Sequence, residues 1–162
     1  MANNCPYNMR VVAKDKAAIE RLYNIMRYRD SEYYLYRVFS VEKDETEEDG
    51  DLFVADFFGD VAWGCSPWIY DETDKTKKSA TGAHYSNLLE ICADLNVGVE
   101  IFAEEEGIGF QQHFRVDRRG EIDISESADW SCEYNEDGEP ISQTGGLEGY
   151  MDWSYCSEIY GE

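Results

Sequence analysis

The sequence predicts an α+β fold: a ferredoxin-like antiparallel sheet with two helices on one face, followed by an acidic, aromatic-rich C-terminal extension. Three observations lead there. Segments alternate as strand, helix, two or three strands, helix, two or three strands, which short connections can close into one sandwich. The 162 residues suit one core of ordinary size, and 43% of them are hydrophobic. From Asn135 onward the text changes to Gly, acid and aromatic residues, so we place a domain over residues 1–134 and an extension packed on it over 135–162.

The first strand is expected over Tyr7 to Ala13. Asp15 is a suitable cap for a helix from about Lys16 to Arg29, with Ile19, Leu22, Ile25 and Met26 at the three-and-four spacing of one buried face. The β-branched and aromatic run Tyr33 to Val41 predicts one strand, and Asp44 to Asp51 a solvated loop or hairpin tip. Leu52 to Phe58 and Val61 to Tyr70 read as two strands about a tight turn at Gly59-Asp60. Polar, aperiodic Asp71 to Ala83 reads as a loop. Ser86 fits the cap of a second helix, with Leu88, Leu89, Cys92 and Leu95 inward and Asn96 near its end. A meander then follows: strand Val97 to Ala103, turn Glu104 to Gly109, strand Phe110 to Val116, turn at Arg118-Arg119-Gly120, and strand Glu121 to Tyr134.

Charge is the most informative feature. The chain carries 35 Asp and Glu against 14 Lys and Arg, a net of −21. Residues 1–40 carry a net of +3 and residues 41–162 a net of −24; from Glu121 on there are 12 acids and no Lys or Arg. This excludes nucleic-acid binding by a broad basic face and opposes docking on anionic lipid. Solubility alone needs only about −2 to −8 for a small domain. The excess raises self-repulsion and calls for a use or a special habitat such as high salt. No apolar run approaches the roughly 20 residues of a membrane span, and MANNCPYNMR lacks the apolar stretch of a secretory signal, so a cytoplasmic protein is expected.

Chemistry-bearing motifs are sparse. Cys5, Cys65, Cys92, Cys132 and Cys156 have no C-x-x-C spacing, and with only His84 and His113 available no metal set is expected. Buried, reduced thiols are the simplest account of the cysteines. Glu133-x-Asn135-x-Asp137-Gly138 falls short of a calcium loop because its twelfth position is Thr144, so it reads as a turn. The sequence contains no nucleophile elbow, phosphate loop, zinc-protease or dinucleotide fingerprint. We expect no enzyme and no cofactor.

Asn3-x-Cys5 before a short strand and helix, Trp63-Gly64 with Trp68, and the helix–strand–turn run from Leu88 to Gly120 together resemble a family: small phage- and plasmid-borne proteins with a YubB-type ferredoxin-like domain. The likeness spans about residues 1–125. The sequence departs from it in its NCPYN opening, its acidic loops and its extension. The resemblance implies the fold and a mobile-element origin, and supplies no catalytic residues.

Along Glu121 to Glu133 one alternating set, Glu121, Asp123, Ser125, Ser127, Asp129, Ser131 and Glu133, is wholly polar. Same-face neighbours on a strand lie about 6.6 Å apart, close to the ~6.8 Å of two nucleotide steps. Hence the expected function is a DNA mimic: an anti-CRISPR or anti-restriction inhibitor that occupies the basic groove of a host defence complex. Its expected phosphate-mimicking carboxylates are Glu45, Glu47, Glu48, Asp49, Asp51, Glu104, Glu105, Glu106, Glu121, Asp123, Asp129 and Glu133. The alternative is a structural or regulatory protein-binding module without mimicry. The same polar face also suits a solvated strand protecting a sheet edge.

Overall fold

The computed structural model describes residues 3–162. The chain builds a large antiparallel sheet, a small second sheet and four short helices, an α+β arrangement. Strand β1 (Asn4–Ala13) lies at the centre of the large sheet. It pairs antiparallel on one side with β5 (Leu52–Ala62) and on the other with β8 (Val97–Glu105). Beyond β5 lie β3 (Val38–Lys43) and β4 (Glu47–Asp49), which share that edge end to end. Beyond β8 come β9 (Phe110–Val116), β10 (Ile122–Tyr134) and β11 (Pro140–Gly145). A separate three-stranded sheet has the order β2 (Tyr33–Leu35), β7 (His84–Ser86), β6 (Asp74–Lys78).

Side chains alternate across β1, so each face of the sheet is covered by a different part of the chain. Tyr7, Met9 and Val11 enter the main core with Ile19, Leu22, Ile25 and Met26 of α1 (Lys16–Met26), Trp68 and Ile69 of α2 (Ser66–Tyr70), and Leu88, Ile91 and Cys92 of α3 (Leu88–Leu95). Val12 points the other way. With Leu52 it meets Ile159 and Tyr160 of α4 (Cys156–Tyr160) in a second, smaller core.

Several expectations hold. Asp15 caps α1 by accepting from Ala17 N, and the four residues expected on its inner face are buried. Asn96 closes α3 at φ 58°, a left-handed position that asparagine tolerates. Asp137-Gly138 turns the β10–β11 hairpin, with Asn135 Oδ1 accepting from Asp137 N and Glu139 N.

Other expectations are corrected. Tyr33 to Val41 is two strands in two sheets, broken at Arg37, which sits at φ 56°. Leu52 to Ala62 is one unbroken strand, with no turn at Gly59-Asp60. Gly59 is needed for a close approach instead: a Cβ there would stand 2.1 Å from Ser40 O. Past β5, Trp63 (φ 71°) and Gly64 (φ 140°) end the strand, and Ser66–Tyr70 is helical with Pro67 in its first turn, where the missing N–H costs nothing. The loop expected over Asp71 to Ala83 contains β6. Asn87 rather than Ser86 caps α3, its Oδ1 accepting from Glu90 N, because Ser86 is spent in β7. Helix α1 stops at Met26, since Tyr28 turns left-handed at φ 60°. Among the described residues there are thus four helices where two were expected.

Candidate functional site, an acidic cleft at the sheet edge

The acidic run 44–51 is a hairpin tip. Asp44 N donates to Asp56 O, and Glu47 to Asp49 then add a short strand against Val54 to Leu52, turning through Gly50 at φ 64°. Folding back in this way bends the run around a cleft of about 360 Å³ lined by Asp44, Glu45, Glu47, Glu48, Asp49, Val54, Ala55, Asp56, Arg10 and Cys156. Six carboxylates therefore face one guanidinium. That guanidinium is already engaged. Arg10 makes a bidentate pair with Asp56 (2.8 and 3.0 Å) and lies 4.6 Å from the Trp153 ring, and its pKa is raised, chiefly by the bond to Asp56. The Cys156 thiol is pushed up to about 11 by burial and by the neighbouring Asp49 carboxylate, so it stays protonated. Among the described residues, the carboxylates of Asp44, Glu45, Glu47, Glu48 and Asp49 have no basic nitrogen within 4.0 Å, although all five residues are exposed. Like charges held this close repel and are screened only by solvent and salt, which primes the tip for a cationic partner.

The other expected carboxylates are divided among different tasks. Asp51 adjoins the tip, 3.9 Å from Lys14 Nζ. Glu104 to Glu106 lie at the opposite end of the sheet, since β8 runs antiparallel to β1 and finishes beside Tyr7. Glu105 is a correction: it is 3% exposed, and its carboxylate accepts from Gly107, Ile108 and Gly109 N–H groups, closing the β8–β9 turn. It therefore faces no partner. Glu104 is half-buried and accepts from Gln111, whereas Glu106 is exposed and accepts from Tyr134.

The continuous row expected on β10 is also corrected. A bulge at Asp123 shifts the register between Ile122 and Ile124. Asp123 then reaches Arg115 at 3.7 Å, while Asp129 stands opposite Phe110, which packs on the main core. A bulge puts one extra residue into the strand, so side chains before and after it exchange faces. Glu121 lies 4.0 Å from Arg119, and Glu133 accepts from Ser142. From β10 to β4 is five strand spacings, about 24 Å, across the strands between them. The hairpin carboxylates are brought together; those of β8 and β10 do not join them.

Two functional features were not found in the sequence. Arg10 and Asp56 belong to the cleft only because β1 and β5 pair in the register that sets them opposite. Cys156 reaches it because residues 146–162 cross the sheet as a strap. Glu100, fully buried on β8, anchors that strap: it accepts from Ser154 N and Oγ (both 2.7 Å) and meets His113 Nε2 at 2.9 Å. Burial alone would raise its pKa, but His113 and Ser154 outweigh burial and hold it below the usual value. Phe102 stacks on His113 and meets Trp153 edge-on. Of the cysteines, Cys5, Cys65 and Cys92 are buried thiols, as expected; Cys132 and Cys156 are half-exposed.

Among the described residues no cluster of His, Cys, Asp or Glu is arranged to hold a metal ion, and no helix is long and apolar enough to cross a membrane. Comparison of the chain with protein-family models, with curated proteins and with solved structures gives no match.

Proposed function

We propose that this protein is a non-catalytic inhibitor that binds, through the acidic tip at residues 44–51, a basic surface that normally holds nucleic acid. The observation that carries this is the concentration around one cleft of five exposed carboxylates that form no ion pair among the described residues. Pairing with Lys and Arg of a partner would compete with phosphates for the same side chains, and opposite fields would speed encounter. The resemblance to mobile-element proteins makes a host defence complex in the bacterial cytoplasm, a CRISPR effector or restriction enzyme, the proposed target. The antiparallel order β8-β1-β5-β3, with α1 and α3 as the connections, supports a ferredoxin-like centre for the fold. The mimicry is that of a compact acidic knob. The β10 carboxylates stand apart from it, and Glu105 takes no part.

The test is capture of partners from bacterial lysate by the full chain at low and high salt, with duplex DNA as competitor. Steep loss of capture with salt, displacement by DNA, and loss in the variant Glu45→Gln, Glu47→Gln, Glu48→Gln, Asp49→Asn are expected. Capture indifferent to salt and to these substitutions overturns the proposal. It would favour the protein-binding module instead, for which exposed Ile108, Tyr134 and Ile141 at the other end of the sheet offer apolar contact.

A further inference from the structure

We infer that this chain associates with itself head to tail, the acidic tip of one copy seating on β6 of the next. Strand β6 reads Asp74-Lys75-Thr76-Lys77-Lys78, and all five residues are exposed at the edge of the small sheet. Asp74 pairs with Tyr85 and Lys78 with His84, so two residues of β7 oppose five of β6 and the middle of β6 bulges outward. Among the described residues, none of the three lysines has a carboxylate within 4.0 Å, in a chain where acids outnumber bases 35 to 14.

Within β6 three lysines outnumber one acid, Asp74, whose field acts on Lys77. The Asp74 carboxylate accepts from Thr76 N (3.0 Å) and its hydroxyl (2.6 Å). Asp71 and Glu72 precede the strand, and the Glu72 carbonyl accepts from Tyr36. The patch rests on a rigid base: Lys77 Nζ lies 4.7 Å above the Tyr85 ring, which stacks on Tyr34 at 4.5 Å, which stacks on Tyr28 at 4.8 Å.

The chain therefore displays two short exposed segments of opposite sign, one on each sheet; among the described residues neither the five carboxylates of 44–49 nor the three lysines form an ion pair within 4.0 Å. Charge complementarity selects a second copy as occupant. The tip is a protruding knob of five carboxylates, and Lys75, Lys77 and Lys78 lie on the outward bulge of β6, so the two can meet as single short segments. A nucleic acid fits less well: with one charge per ~1.7 Å, a duplex laid on β6 would run on into the acidic remainder of the molecule. Because the joined patches differ, the contact is heterologous and extends into rings or open chains.

Sedimentation velocity of the full chain tests this. The weight-average mass should exceed that of a monomer at about 0.05 M salt and fall to the monomer at about 0.5 M. The variant K75E/K77E/K78E and the variant E47K/E48K/D49K should each be monomeric at low salt. Mixing them should restore association, since each then supplies the charge that the other lacks. A monomeric wild type at low salt, association of either variant alone, or a mixture that stays monomeric overturns the inference. So does a single-stranded oligonucleotide that binds the wild type and loses binding in the lysine variant, which would reassign the patch to nucleic acid.

Discussion

Replacing Gly98 with Ala tests how the C-terminal strap is seated. Gly98 lies on β8, buried and with no positive φ, so alanine suits its backbone. The added Cβ would stand 2.1 Å from Ile159 O and 2.9 Å from Tyr160 Cα. An ordinary carbon–oxygen approach is about 3.3 Å or more, so α4 must withdraw by about 1.2 Å. That gap forfeits a quarter to a half of the dispersion contacts across it. Full release of Ile159 and Tyr160 from Val12 and Leu52 would cost about 3–6 kcal/mol, at about 1.5–3 kcal/mol per large side chain. Partial withdrawal should therefore destabilise by about 1–3 kcal/mol, the range of overpacked cores, slightly offset by the entropy alanine removes from the unfolded chain. Urea denaturation should show the lowered midpoint. Hydrogen exchange should quicken at Ile159 and Gly161, whose N–H groups bond to Tyr155 O and Ser157 O. An unchanged midpoint with those amides still protected would refute the close approach.

Glu105→Ala should destabilise by about 2–4 kcal/mol in urea, because three turn N–H groups lose a charged acceptor; equal stability would place the carboxylate in solvent. Glu100 has its pKa lowered in the folded state, so its contribution is complete above the ordinary value of 4.5 and is lost as pH falls through the depressed one. The difference in urea midpoint between wild type and Glu100→Gln should accordingly shrink below about pH 4.5, and a difference constant with pH would exclude ionised Glu100 as the anchor. Asn96→Gly should be nearer to wild type than Asn96→Ala, which forces alanine to φ 58°, with about 1 kcal/mol between them in thermal melts. The hairpin variant with Glu45, Glu47, Glu48 and Asp49 as amides should melt no lower than wild type, since among the described residues these carboxylates have no basic partner to lose; a lower melting temperature would reveal one.

Legibility followed the range of the forces involved. Helix α1 could be read because its cap and inner face are set within one local window: Asp15, then Ile19, Leu22, Ile25 and Met26. The hairpin tip could be read because six acids in eight residues cannot be buried. The split of Tyr33 to Val41 could not, because six of its nine residues are Tyr, Phe or Val, which favour strand; the break depends on Arg37 turning left-handed so that β2 joins β7 while β3 joins the large sheet. Gly59 was misread for a related reason. Glycine marks a turn in a local reading, but here it makes room for Ser40 O from another strand. The β10 row failed at one residue, since a bulge is invisible to alternation counting yet moves Asp123 to Arg115.

The same division applies to the carboxylates, and it bears on function more than their number does. Glu100, Glu105 and Asp117 are buried and saturated with donors: Ser154 and His113 for the first, the β8–β9 turn amides for the second, and Arg119 and the Glu121 amide for the third. Such groups stabilise the fold through fixed hydrogen bonds, and a partner can reach none of them. Asp30, Asp56 and Asp123 are held by Arg21, Arg10 and Arg115, so their charge is largely cancelled within the chain. The field offered to another molecule therefore comes from the remainder, and that remainder is most concentrated where β3 gives way to β4. Net charge −21 overstates the number of carboxylates free to bind, and understates how locally they act.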